Sequence, residues 1–190
     1  MTHNFFAYLS RMRYIGRWSL MRNALPENIQ EHSHMVAVIA HALGVIRRDV
    51  FHVPCDPNEY AAAALYHDCS EILTGDLPTP IKYYNPEIKA AYKQVEYISG
   101  TKLLDMLPEE LRANYAPLLH ESEPEVSVIV KAADKLSAYI KCVEEQKAGN
   151  TEFDSAADAT MAALQKLNMP ELNWFIENCL EPFRLNLDQL

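Results

Sequence analysis

The stretch that most constrains the fold is Tyr66-His67-Asp68-Cys69-Ser70-Glu71, which follows directly on Ala61-Ala62-Ala63-Ala64-Leu65. It sets a histidine beside an aspartate inside what the pattern predicts to be an apolar helix running from Asp56-Pro57 to about Cys69. A carboxylate left unpaired out of water costs several kcal/mol even after relaxation, so a fold that buries this stretch must bring compensating groups to it. A divalent cation is one candidate; a helix end that simply carries polar residues is the other. Neighbouring side chains on a helix diverge by about 100°, so an ion between the two directions can touch both. Glu71 falls one helical turn later and hangs over the same side. The four alanines let another helix come close, which would help ligands from two helices meet on one ion.

Residues 28–47 are predicted as a helix whose buried stripe is Val36, Ile39, Ala40, Leu43 and Ile46. His32 heads that row, while His34 and His41 turn onto another face. A histidine on an apolar face can be a hydrogen-bonded core residue or a ligand. Asp134 follows two alanines within Val128-Ile129-Val130-Lys131-Ala132-Ala133-Asp134-Lys135-Leu136. Aspartate is a poor helix former at mid-helix and needs a reason to be there, either an ion pair with a nearby lysine or a ligand role. Arg17-Trp18 sits in a loop ending near Pro26. It reads as a surface arginine beside a core tryptophan, or as a phosphate clamp with forked guanidinium donors. Thr74-Gly75-Asp76-Leu77-Pro78-Thr79-Pro80 cannot continue a helix and is stiffened by its prolines. It is either a connector or a rigid holder of polar groups beside a site. Further helices are predicted over 2–13, 86–106 (burying Tyr92, Val95, Ile98 and Leu103), 109–120, 123–147, 151–167 and 170–180.

The 190 residues suit one all-α domain: 49% are hydrophobic and only 5 are glycine. A net charge of -9 argues against DNA or long RNA as a partner, although one locally positive pocket could still take a small anion. Cys55, Cys69, Cys142 and Cys179 form no C-x-x-C pair and suit reduced thiols in a cytoplasmic protein. No apolar run is long enough for a membrane span. The N-terminal Phe5, Phe6, Tyr8 and Leu9 with Arg11 and Arg13 read as part of the fold rather than a targeting segment.

The order His32…His67-Asp68…Asp134 resembles the HD-domain metal-dependent phosphohydrolase superfamily. Arg17-Trp18, Glu31-His32-Ser33, Tyr66 to Glu71, Thr74 to Pro80, Lys131 to Asp134 and Leu107 to Arg112 extend the likeness over essentially the whole chain, to the YfbR-type bacterial 5′-deoxynucleotidases. The resemblance implies a single HD domain over 1–190, a cytoplasmic homodimer, and hydrolysis of deoxyribonucleoside 5′-monophosphates with loose base selectivity. It implies His32, His67, Asp68 and Asp134 as metal ligands, and Glu71, Arg17 and Trp18 as the catalytic group. Arg17 and Trp18 would hold the phosphate, Asp76, Leu77, Pro78 and Thr79 the sugar, and His32 and Asp134 would also face the substrate.

Two imidazoles and two carboxylates suit Co²⁺ or Mn²⁺, and also Zn²⁺ or Fe²⁺, better than Ca²⁺. Four protein ligands on a six-coordinate ion leave room for a water and a phosphate oxygen. His120 is the lone histidine between Asp68 and Asp134, so a single metal is expected. Glu71 could act as base or as acid. The competing readings are a pyrophosphohydrolase or cyclic-nucleotide phosphodiesterase on the same fold, a nucleotide sensor without catalysis, and a purely structural helical bundle.

Overall fold

The chain begins with a short helix, α1 (Phe5–Leu9), that tightens into a 3-10 segment, Ser10–Tyr14. The predicted first helix is therefore present in two pieces. The computed structural model describes residues 2–82, 84–120 and 123–190, and apart from one antiparallel bridge between Gly16 and Asn28 they contain no β-structure.

Asn28 starts α2 (Ile29–Val45): its side chain accepts from the backbone of Gln30 and Glu31 at 3.0 Å each, and Glu31 accepts in return from the Asn28 amide at 3.4 Å. Such a reciprocal cap is worth ~1 kcal/mol. The predicted stripe of Val36, Ile39, Ala40, Leu43 and Ile46 is buried throughout, with His32 fully buried at its head. Asp56 caps α3 (Pro57–Tyr66) by accepting from the Asn58 amide at 2.9 Å, with Pro57 in the first turn. Helices α2 and α3 touch closely at Gly44, where a Cβ would stand 2.8 Å from the Tyr60 ring and 2.9 Å from Pro57 Cα. Ala63 and Ala64 are buried on the same helix.

The structure corrects the expected course of α3. The helix ends at Tyr66, and His67 to Ser70 form a turn held by bonds of the tighter type: Cys69 N to Tyr66 O at 3.1 Å and Glu71 N to Asp68 O at 3.0 Å. His67 and Asp68 thus lie on a bend past the helix rather than inside it. Glu71 opens a new short helix, α4 (Glu71–Thr74), which Gly75 ends at φ 74°, a conformation glycine adopts without strain. The proline-stiffened stretch behaves as expected up to Pro78; Thr79 and Pro80 then open α5 (Thr79–Lys82), where a first-turn proline loses no bond.

In α6 (Pro86–Asp105) the predicted buried face is wrong. Val95 is 45% and Ile98 53% exposed, Tyr92 is half-buried, and only Leu103 of the four is in the interior. Ser99 and Gly100 take the inner positions instead, because α7 (Glu109–Leu119) passes so close that a Cβ on Gly100 would lie 2.7 Å from the Leu119 carbonyl oxygen. Close approach selects small residues, and a hydrophobic stripe does not register them. The long α8 (Pro124–Lys147) runs through the interior. A 3-10 turn, Thr151–Phe153, leads into α9 (Asp154–Leu167), which ends at Asn168 in the left-handed region before α10 (Pro170–Cys179).

Two apolar clusters result among the described residues. The larger joins Val36, Leu43, Ala64, Ile129, Leu136 and Phe153 with their neighbours; the smaller joins Phe5, Met12, Ile29, Cys69, Leu103 and Leu107. On α2, His32 falls between Ile29 of the smaller cluster and Val36 of the larger; on the next strand of chain, His67-Asp68 falls between Ala64 and Cys69 in the same way. His32, His67 and Asp68 therefore lie along the seam. No described helix is long and apolar enough to cross a membrane.

Candidate metal centre

Four side chains converge at the seam from three parts of the chain: His32 from α2, His67 and Asp68 from the turn after α3, and Asp134 from α8. His32 Nε2 stands 3.1 Å from Asp134 Oδ1 and 3.6 Å from Asp68 Oδ2, and His67 Nε2 stands 3.1 Å from the same Asp68 oxygen. The two imidazole rings are 5.4 Å apart between centroids. One donor atom each from His32, His67 and Asp68 fits within 4.8 Å of the others, and Asp134 closes on the group through His32.

The ring orientations have local causes. His67 Nδ1 lies 2.7 Å from the Ala64 carbonyl oxygen, which can only accept, so Nδ1 carries the proton. In the neutral ring that leaves Nε2 with a lone pair, whereas in the imidazolium both nitrogens carry protons. Nε2 is buried, has no hydrogen-bond partner, and faces a carboxylate oxygen. Two lone pairs at such a distance need a cation or a proton between them. Nδ1 of His32 meets Ser137 Oγ at 3.3 Å. Both histidines thus have an outer partner that aims Nε2 inward, as metal-binding histidines require. The donor set and the orphaned nitrogen fit a divalent cation.

The charges tell the same story. Burial disfavours the His67 imidazolium, yet Asp68 and Asp134 prevail and raise its pKa to about 9. Burial would raise Asp68, but His67, His32 and Arg17 hold it well below the usual carboxylate range. Asp134 is likewise lowered against its burial by the hydrogen bond with His32. Glu71 behaves in the opposite way: burial, then the charges of Asp68 and Asp76, push it up to about 9. Its Oε2 is buried without a partner.

Arg17 reaches the centre from the loop before α2. Its Nε donates to Glu27 Oε2 at 3.0 Å, and one terminal nitrogen lies 3.5 Å from Asp68 Oδ2. The Trp18 indole N–H donates to the same Glu27 oxygen at 3.0 Å, and its ring packs on Phe153 at 5.2 Å between centroids. Trp18 itself has φ 59°, unusual for a bulky residue and a sign that its surroundings dictate its pose. Asp76 sits in the field of Arg17, Asp68 and His32, its pKa raised by burial first and by Asp68. Leu77 and Pro78 are half-buried, and Thr79 is exposed.

Sequence reasoning missed two contributors. Glu27, between Pro26 and the cap Asn28, belongs to no motif and gave no signal. Ser137 did carry one, since it stands a single helical turn after Asp134 and so shares its face.

A family model described as 5′-deoxynucleotidase YfbR-like matches residues 4–183. A 5′-deoxynucleotidase of Vibrio parahaemolyticus is 49% identical over 98% of this chain and 97% of its own length. The 5′-deoxynucleotidase YfbR of Escherichia coli is 47% identical over 98% of this chain and 95% of its own. Among solved structures, an HD-domain phosphohydrolase from Listeria innocua superposes with a TM-score of 0.82 at 24% identity, covering 95% of this chain and 88% of that one. A cyanophage S-2L HD phosphohydrolase, bound to dA and one catalytic Zn²⁺ ion, superposes with a TM-score of 0.67 at 21% identity over 92% of this chain and 95% of that one.

Proposed function

The chain belongs to the YfbR-like 5′-deoxynucleotidase family of HD-domain phosphohydrolases, and on that premise we propose that it cleaves deoxyribonucleoside 5′-monophosphates to deoxyribonucleoside and phosphate. It is a metal-dependent phosphoric monoester hydrolase acting as one HD domain over 1–190. The observation that carries the reading is the convergence of His32, His67, Asp68 and Asp134, with His67 Nε2 buried and held 3.1 Å from an Asp68 oxygen.

His32, His67, Asp68 and Asp134 would hold one divalent cation. The mixed nitrogen and oxygen set favours Co²⁺ or Mn²⁺, with Zn²⁺ and Fe²⁺ also compatible. A cation held there supplies Lewis acidity, acidifying a water and offsetting phosphate charge. The other groups do what the chain itself provides. Ser137 and the Ala64 carbonyl fix the two imidazoles. Arg17 binds the phosphate oxygens and stabilises their charge as the ester bond breaks, and Trp18 steadies that end of the site. Glu71, buried beside Asp68 and without a partner at Oε2, suits proton transfer with the attacking water or the leaving 5′ oxygen. Asp76, Leu77, Pro78 and Thr79 meet the sugar, and the stiffness of that stretch suits a wall that rejects a 2′-hydroxyl. Base selectivity is loose.

The protein acts as a homodimer; exposed Val95 and Ile98, one helical turn apart on α6, give the kind of apolar surface a second copy can cover. Four free cysteines suit the cytoplasm.

The test is to strip the metal, restore single ions and measure phosphate release from panels of deoxyribo- and ribonucleoside monophosphates. Release from the deoxy series with Co²⁺ or Mn²⁺ is expected. Release only from triphosphates or cyclic nucleotides, or from none, would overturn the reading.

A further inference from the structure

We infer that Glu27 is a positioning residue of the phosphate site, holding the Arg17 guanidinium in the pose that presents its terminal nitrogens to the substrate. The inference rests on Arg17 being the phosphate ligand proposed above. One oxygen, Oε2, accepts from both Arg17 Nε and Trp18 Nε1 at 3.0 Å each. The same two residues are joined through the main chain, where Arg17 N donates to Glu27 O at 2.9 Å. Arginine carries its donors in a rigid planar fork, so a bond at Nε fixes the plane and the direction of the two terminal nitrogens.

The alternative pose is close at hand. Asp68 Oδ2 stands 3.5 Å from one terminal nitrogen of Arg17, too far for a strong bond. Without Glu27 the guanidinium is free to collapse onto that carboxylate, where it would be lost to a phosphate and would compete for a proposed metal ligand. Glu27 also uses up the indole N–H of Trp18, so the indole acts through its ring and through this shared oxygen, not as a phosphate donor. The loop between Arg17 and Glu27 is itself pinned, since Glu145 accepts from the amides of Ala24 at 2.8 Å and Leu25 at 2.9 Å. Glu27 therefore works from a fixed base.

The experiment uses the full metal-loaded chain with deoxyadenosine 5′-monophosphate as substrate and inorganic phosphate as a second probe. Glu27→Met, which fills similar space without an acceptor, is expected to weaken both KM and phosphate binding about tenfold while kcat changes less. Glu27→Gln keeps an oxygen for both donors and should return to within about threefold of wild type. In the Arg17→Ala background, Glu27→Met should add less than about twofold, because the group it orients is gone. A merely structural role predicts losses that multiply in the double variant. That result, or unchanged phosphate affinity in Glu27→Met while Arg17→Ala loses it, would overturn the assignment. Phosphate binding measured by calorimetry needs no turnover. A chain that binds phosphate through Arg17 and Glu27 yet releases none from nucleotides would sink the hydrolase reading and leave this one standing.

Discussion

Two of the charge clusters among the described residues are built on opposite plans. At one, Lys141 donates to Glu145 and to the Leu25 carbonyl, while Glu145 accepts from the amides of Ala24 and Leu25 and from Asn150 at 2.7 Å. Both oxygens of Glu145 are engaged, and the cluster ties the loop before α2 to α8. At the other, His32, His67, Asp68, Asp134 and Glu71 gather with His67 Nε2 and Glu71 Oε2 left without partners. Lys141 and Glu145 are buried, whereas at the second cluster only His32 and Glu71 are, and the Asp134 side chain is 40% exposed; satisfaction differs as well. A saturated cluster holds a fold in place, whereas an unsaturated one of ligand-type side chains has kept room for something else.

The comparison predicts that equal insults give unequal results. Asp134→Ala should lower phosphate release by roughly four orders of magnitude, over 5 kcal/mol in barrier, with bound metal lost in parallel and little change in the melting temperature of the metal-free protein. Full metal occupancy in that variant would remove Asp134 from the ligand set. Glu145→Leu should do the reverse. It strands a buried ammonium and should cost about 3–5 kcal/mol by denaturant titration, while surviving folded protein keeps its metal. If activity vanished with stability unchanged, the saturated cluster would be functional after all and the contrast would break. Glu71→Gln should keep metal and stability but lose about a hundredfold in kcat.

Two pH profiles sharpen the contrast at lower amplitude. In the metal-free protein His67 is raised to about 9, so a cation must displace a proton from it. Metal affinity should rise with pH, about tenfold per unit, and level off near that value, with proton release visible by calorimetry in two buffers. The His67 contribution to metal-free stability runs the other way: it is complete below the ordinary imidazole value and is lost as pH climbs through about 9. Glu145, by contrast, is opposed by burial but lowered to about 2 by Lys141, Asn150 and the loop amides. Its contribution is complete above the ordinary glutamate value and disappears as pH falls through about 2, which acid unfolding of wild type against Glu145→Gln would read.

Much of this was legible in the sequence, for physical reasons. The stripe from His32 to Ile46 repeats at helical spacing because one face of α2 is buried end to end, and Asp56-Pro57 announces α3 because capping is a local event. The four proposed ligands stood out because buried histidines and aspartates are costly and must be explained. What the pattern missed depends on distances between remote segments. The inner face of α6 is set by how closely α7 approaches Gly100, not by which residues are most apolar. The end of α3 at Tyr66 is a change in bonding pattern with no proline or glycine to mark it. Glu27 matters because of two side chains at the far end of its own loop, and nothing in its neighbours advertises that.

The seam between the two apolar clusters has a mechanical consequence. His32 is tethered on one side to Ile29 and on the other to Val36, and His67-Asp68 spans the same boundary. An ion gripped by both segments would act as a rivet between the two clusters. Occupancy would then raise cooperativity as well as affinity: amides of the smaller cluster, around Phe5 and Leu103, should open together with those around Leu136 when the ion is present, and independently, sooner, when a chelator has taken it away.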